Sequence, residues 1–208
     1  MDGVSWPMLA AEVAAGIALA ACCGLRAFLP PLVVGLAARF HLSEMLLGRP
    51  LLSPSFEWLA STPVLVVLSV AVLFELAADK IPALDHALDV VQTIVRPLAG
   101  ALAFAASLGG VPPWAAAAAG LVVGAPLAGV LHLGKAKIRL LSTFGTGGLA
   151  SPFISFFEDI VTIVGAFLAV LAGFAALILV LVGAYLTYRL VRVFLRRVGR
   201  LRADLGAP

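Results

Sequence analysis

The chain has 208 residues, 62% of them hydrophobic and 12% charged, with a mean hydropathy of +1.13. Its solvent is a bilayer, and the length leaves no room for a separate soluble catalytic domain. The net charge of +3 and pI of 9.2 owe much to one C-terminal arginine cluster, which argues against nucleic-acid binding.

Long Ala/Leu/Val runs without alternation favour helices over a β-barrel. Since about 20 helical residues cross the hydrocarbon, they predict an all-α polytopic protein of about five transmembrane segments. The first runs from about Met8 to Arg39 and is interrupted by Gly24-Leu25-Arg26-Ala27-Phe28-Leu29-Pro30-Pro31. Two prolines remove two helix donors, and Pro31 also restricts Pro30, so a broken helix is expected here. Cys22-Cys23 are adjacent in this segment and read as small packing residues. Leu19-Ala20-Ala21-Cys22 looks like a lipoprotein cleavage box, but Asp2 and Glu12 replace the basic start a signal peptide needs. An uncleaved segment is expected.

A polar connector, His41 to Ser53, precedes a second helix with Ser53 as N-cap and Pro54 at its first position. That helix is expected to reach about Ile81, with a kink at Pro63. A third segment covers Asp89 to Leu108, and Gly109-Gly110-Val111-Pro112-Pro113 reads as a tight turn. The fourth runs from Trp114 to about Ile138 and is followed by a loop, Ser142-Thr143-Phe144-Gly145-Thr146-Gly147-Gly148. The fifth starts near Phe153 and continues to about Leu201, too long for one span.

An internal repeat is visible. Phe74-Glu75-Leu76-Ala77-Ala78-Asp79-Lys80-Ile81 aligns with Leu131-His132-Leu133-Gly134-Lys135-Ala136-Lys137-Ile138, and the stretch from Asp89 aligns with that from Glu158. The expected organisation is a transmembrane domain over 1–188, with hairpin repeats at about 54–108 and 114–188, and a basic tail over 189–208. Two-helix units imply parallel repeats about an axis along the membrane normal. Arginines after the last span place the C-terminus in the cytoplasm of a bacterial inner-membrane protein.

Ionisable groups inside apolar segments carry the functional signal. A charge at the bilayer centre costs about 2.5–3.5 kcal/mol on insertion scales, so such groups pair, line wet cavities or sit at interfaces. The candidates for contact with a substrate or ion are Arg26, Glu75, Asp79, Lys80, Asp85, Asp89, Arg96, His132, Lys135, Lys137, Arg139, Glu158 and Asp159. Glu75 and Asp79 share a helix face, as Asp85 and Asp89 could. Clustered carboxylates bind protons or hard cations, although neutralising Lys80, Arg96, Lys135 or Lys137 is the plainer role. Lys135, Lys137 and Arg139 before a glycine-rich loop could meet a phosphate or carboxylate, or lipid headgroups. His132 could titrate near neutral pH or simply pack. Arg189, Arg192, Arg196, Arg197 and Arg200 suit an interfacial helix on anionic lipid headgroups. Gly16-x-x-x-Ala20 and Ala115–Ala119 allow close helix approach or homo-oligomers. No catalytic constellation and no cofactor motif is seen, and no metal is assigned.

Glu75-x-x-x-Asp79-Lys80-Ile81-Pro82-x-x-Asp85, Arg96-Pro97-x-x-Gly100-Ala101, His132-x-x-Lys135-Ala136-x-x-Arg139 and Ser151-Pro152-x-x-Ser155-x-x-Glu158-Asp159 resemble the bacterial membrane family called domain of unknown function 4126. Gly24-Leu25-Arg26-Ala27-Phe28-Leu29-Pro30 matches its first segment, where Asn-Ala or Arg-Ala is usual; Ser151-Pro152 departs from the family's Asn-Pro. The resemblance implies a multi-spanning bacterial protein and marks the same polar residues, without an activity.

The leading expectation is a small transporter or channel whose solute contacts Glu75, Asp79, Lys80, Lys137 and Glu158. The alternative is a structural or assembly protein whose charges join helices. An enzyme is disfavoured for want of a nucleophile–base pair. A cavity reaching Glu75 favours transport, and a dry, paired network favours the structural role.

Overall fold

The computed structural model describes residues 6–47, 51–78, 82–146 and 151–172, and beyond these the positions 175, 178, 181, 182, 185 and 189. Among the described residues all regular structure is helical: α1 (Trp6–Leu25), α2 (Leu29–Arg39), α3 (Leu42–Leu47), a 3₁₀ segment (Pro54–Ala60), α4 (Thr62–Ala78), α5 (Pro82–Ala106), α6 (Pro113–Ala119), α7 (Ala125–Thr146) and α8 (Ser151–Leu171). One π-turn, Gly120–Gly124, joins α6 to α7 without a gap.

The first apolar segment breaks where Gly24, Pro30 and Pro31 require. Leu25 is the last residue of α1, 26–28 are not helical, and the prolines occupy the first turn of α2, where missing donors do no harm. α2 then turns back, so that Val34 lies level with Leu19.

The second helix differs from expectation. Pro54–Ala60 is 3₁₀ and meets α4 at 61°, so the bend falls at Ser61 while Pro63 sits harmlessly in the first turn of α4. Ser53 occupies the cap position of the 3₁₀ segment, yet its side chain makes no capping bond; its amide donates to the Ala106 carbonyl at 3.3 Å. Helix α5 starts at Pro82, seven residues earlier than Asp89, because a proline suits a first helical position. Helix α7 continues to Thr146 through residues expected to form a loop; Ser142-Thr143-Phe144 contains no breaker. Helix α8 closes at Leu171, and the described positions from 175 to 189 are again helical.

Among the described residues two helices are long and apolar enough to cross a membrane, Trp6–Leu25 and Pro113–Lys137, and the bent pair Pro54–Ala60 with Thr62–Ala78 is a third candidate. Large apolar side chains stand outward on α4, α5, α7 and α8, including Val67, Leu73, Val90, Ile94, Val130 and Phe167. In water that would be unstable; in lipid it is the expected outer surface.

α1 is the hub, packed by α5, α7 and α8. Gly16 lies against Phe104 and Ser107, and Gly24 against Ala128 and Leu131. A Cβ on Gly24 would come within 2.7 Å of the Ala128 oxygen, so the α1–α7 crossing excludes any side chain there. Gly100 meets the Gly124 carbonyl, a backbone-to-backbone approach of α5 on the π-turn. These registers set the directions: α1, α4 and α7 run one way, and α5 and α8 the other.

Candidate functional site

A helix break inside protein leaves carbonyls at the end of one half and amides at the start of the next without partners. Here side chains from three other helices supply them. At the end of α1, Arg96 Nη1 donates to the Gly24 oxygen at 3.0 Å and Lys135 Nζ to the Leu25 oxygen at 3.1 Å. At the start of α2, the Glu75 carboxylate accepts the amides of Ala27 at 3.0 Å and Phe28 at 3.4 Å. Cations meet a helix C-terminus and an anion meets an N-terminus, the favourable sign at both ends of the dipoles.

These side chains, together with Arg26 in the break, form three ion pairs. Arg26 Nη2 lies 2.6 Å from Asp159 Oδ1 and donates to Ser155 Oγ at 2.8 Å. Lys135 Nζ lies 2.8 Å from Glu158 Oε2, while Thr162 donates to the Glu158 carbonyl at 2.7 Å. Arg96 Nη2 approaches Glu75 Oε1 at 3.6 Å and donates to the Gln92 side-chain oxygen. Gln92 Nε2 in turn donates to Glu75 Oε1 at 3.1 Å. Among the described residues, three guanidinium or ammonium groups thus face three carboxylates.

Arg26 and Arg96 are each 1% exposed and Glu75 2%. Several kcal/mol of desolvation per ion is offset only where charges are paired and hydrogen-bonded in this way, and even here Arg26 Nε and Arg96 Nε are buried without a hydrogen bond. His132, also buried, sits between Arg96 Nη1 at 2.8 Å and Thr93 Oγ1 at 3.3 Å. Two cavities lie among the described residues outside this network. One of 10 Å³ is lined by Glu12, Leu19, Val34, Ser107 and Val170, and one of 420 Å³ lies beside Arg39, Glu44 and Glu57; neither includes a residue of this network.

Of the sequence candidates, Arg26, Glu75, Arg96, His132, Lys135, Glu158 and Asp159 come together. Lys137 does not, standing exposed two residues beyond Lys135 on a different face, and Arg189 is exposed. Asp79, Lys80, Arg192, Arg196, Arg197 and Arg200 lie outside the described residues, as do the side chains of Asp85, Asp89 and Arg139.

Sequence reasoning missed Gln92, Thr93 and Ser155. Each stands three or four residues before Arg96 or Asp159, one helical turn away, and that spacing was the available signal. It also missed Glu12, which is buried near the other end of α1 and accepts the Gly110 amide at 3.3 Å, while Ser107 donates to its carbonyl at 3.2 Å. Among the described residues no group of three His, Cys, Asp or Glu is arranged to hold a metal.

No curated protein and no solved structure matches the chain. A family model does, over residues 13–193, a stretch that holds the broken helix and every member of the charge network. The chain therefore belongs to the family described as domain of unknown function, DUF4126.

Proposed function

We propose that this is a helical membrane protein whose intramembrane charges are fasteners, joining a broken helix to its neighbours in a structural or assembly role. The observation that carries this reading is reciprocal satisfaction. The loose ends of α1 and α2 take Glu75, Arg96 and Lys135, and those groups complete their pairing with Gln92, His132 and Glu158. Among the described residues, such a set pairs its charges with one another.

Small-solute transport is the second reading, favoured by the break itself. Half-helix ends facing ionisable side chains are how many transport sites are built. The parallel senses of α4 with α7 and of α5 with α8 support two parallel hairpin repeats within about five spans. A cytoplasmic C-terminus in a bacterial inner membrane, with the arginine tail on anionic headgroups and possible homo-oligomers, completes the proposal.

Glu75→Gln separates the two readings. A fastener loses thermal stability and accumulation when one buried charge is orphaned, whereas a transport residue keeps both and loses flux in reconstituted vesicles. Normal melting with abolished flux of an ion or small anion would overturn the fastener reading.

A further inference from the structure

The hydrogen bonds around His132 fix where its proton is. A guanidinium donates and never accepts, so the contact from Arg96 Nη1 at 2.8 Å requires a bare lone pair on His132 Nδ1. The ring is neutral in this arrangement, with its proton on Nε2 facing Thr93 Oγ1. Arg96 Nη1 spends its second hydrogen on the Gly24 oxygen, the terminal carbonyl region of α1. One nitrogen thus reads the state of His132 and holds the helix break.

From these contacts we propose that His132 Nδ1 is a proton-loading site whose occupancy releases Arg96 from Gly24 and opens the break. The proposal rests on the fastener reading above. A proton from bulk solvent forms the new Nδ1–H bond, and the ring gains one positive charge. Two donors then face each other, and Arg96 must move.

Its destination is at hand, because Glu75 Oε1 lies 3.6 Å from Nη2. A carboxylate has about four acceptor positions; Ala27 and Gln92 take both on Glu75 Oε1 and Phe28 takes one on Oε2, so the position open to Arg96 is on Oε2. Among the described residues, the charged groups of the network that holds His132 are Arg96 on α5, Glu75 on α4, Arg26 in the break after α1, Lys135 on its own helix with the exposed Lys137 beyond it, and Glu158 and Asp159 on α8. Of these, Lys135 with Glu158 and Arg26 with Asp159 are already paired. The exchange of Arg96 between His132 and Glu75 is the step the proton drives.

The protein carries its own reporters. Cys22 and Cys23 are its two cysteines, both buried, and the Cys22 carbonyl accepts the Arg26 amide at the break. In the full chain in lipid nanodiscs, maleimide labelling is timed from about pH 8 to about pH 5.5, across the range where histidine titrates. Each rate is normalised to that of the same protein unfolded in detergent, which cancels the thiol's own pH dependence.

The normalised rate should rise about tenfold or more as pH falls, the change from a minor open state to a major one. His132→Gln should abolish the rise, and Arg96→Met should label fast at every pH. A flat wild-type profile with fast Arg96→Met labelling overturns the proton site and leaves the fastener reading standing. Slow labelling in Arg96→Met overturns the fastener reading itself. An unchanged rise in His132→Gln assigns the proton elsewhere and ends the proposal. Should His132→Gln fail to fold, nitrogen NMR of the wild type, which has three histidines, decides instead. The Nε2–H tautomer at high pH, converting to the doubly protonated ring as labelling rises, is expected; an Nδ1–H tautomer overturns it.

Discussion

The two ends of the α1–α5 contact are held by different physics. Near Gly16, the helices touch through small residues: Gly16 against Phe104 and Ser107, with Ala20 in the same apolar cluster. Eight residues on, at Gly24, the same pair is joined by Arg96 reaching the α1 carbonyl. Contact at the first end is short-ranged and tolerates no added volume. At the second it is directional and tolerates no lost partner. A membrane helix has little hydrophobic drive to meet another helix, since lipid is as apolar as leucine, so close packing and polar pairing are the two means open to it.

The largest effect is expected at the polar end. Arg96→Met removes the donor to Gly24, His132 and Gln92 together and leaves Glu75 charged and buried, which should cost about 3–5 kcal/mol. Reversible unfolding in mixed micelles measures it. A loss below about 1 kcal/mol, the scale of an exposed pair, would mean that water already reaches the site.

Lys135 and Glu158 give a sharper version. Either Lys135→Met or Glu158→Met should destabilise by somewhat less than Arg96→Met, because the Glu158 side chain keeps 11% exposure. The double replacement should recover most of the loss, since buried pairs exchanged for apolar groups are often neutral or better. A double variant as unstable as the sum of its parts would show that the Lys135 bond to the Leu25 carbonyl, not the ion pair, is what matters.

At the small-residue contacts the test is added volume. A Cβ on Gly124 would run into the Gly100 carbonyl and approach Phe104 Cβ at 2.7 Å. Gly124→Val should cost about 1–3 kcal/mol by overpacking, and the loss should be insensitive to pH and salt. The smallest effect belongs to Lys137, exposed and apart from the network. Lys137→Gln should stay within about 0.5 kcal/mol of the parent.

Much of this was legible in the sequence, for identifiable reasons. Paired prolines after Gly24 have few helical solutions, so the break could be placed within a few residues. Arg26, Glu75 and Arg96 stood out because charge in an apolar run needs a partner. Their partners were less legible. Glu75 fits a carboxylate cluster as well as it fits Arg96, and only its distance to the Ala27 amide reveals that it serves the backbone. Lys135 and Lys137 look alike in sequence, yet a rotation of about 200° along the helix separates buried from exposed. Glycines 120 and 124 were unremarkable, and Gly100 was only part of a motif, until the crossing of α5 on the π-turn made them necessary.

The long reach of the network bears on how the protein is made. Arg26 leaves the ribosome with the first helix, but its hydroxyl partner Ser155 follows 129 residues later. At 5–20 residues per second, typical of translation, that is a delay of roughly 6–26 s. Through that interval the guanidinium waits for its α8 partners, and the two helix ends wait for Glu75 of α4, Arg96 of α5 and Lys135 of α7. The last hairpin is therefore a latch on work begun at the start of synthesis. A chain halted before α8 would lack the Asp159 and Glu158 partners of Arg26 and Lys135, a mark that tells an unfinished product from a finished one.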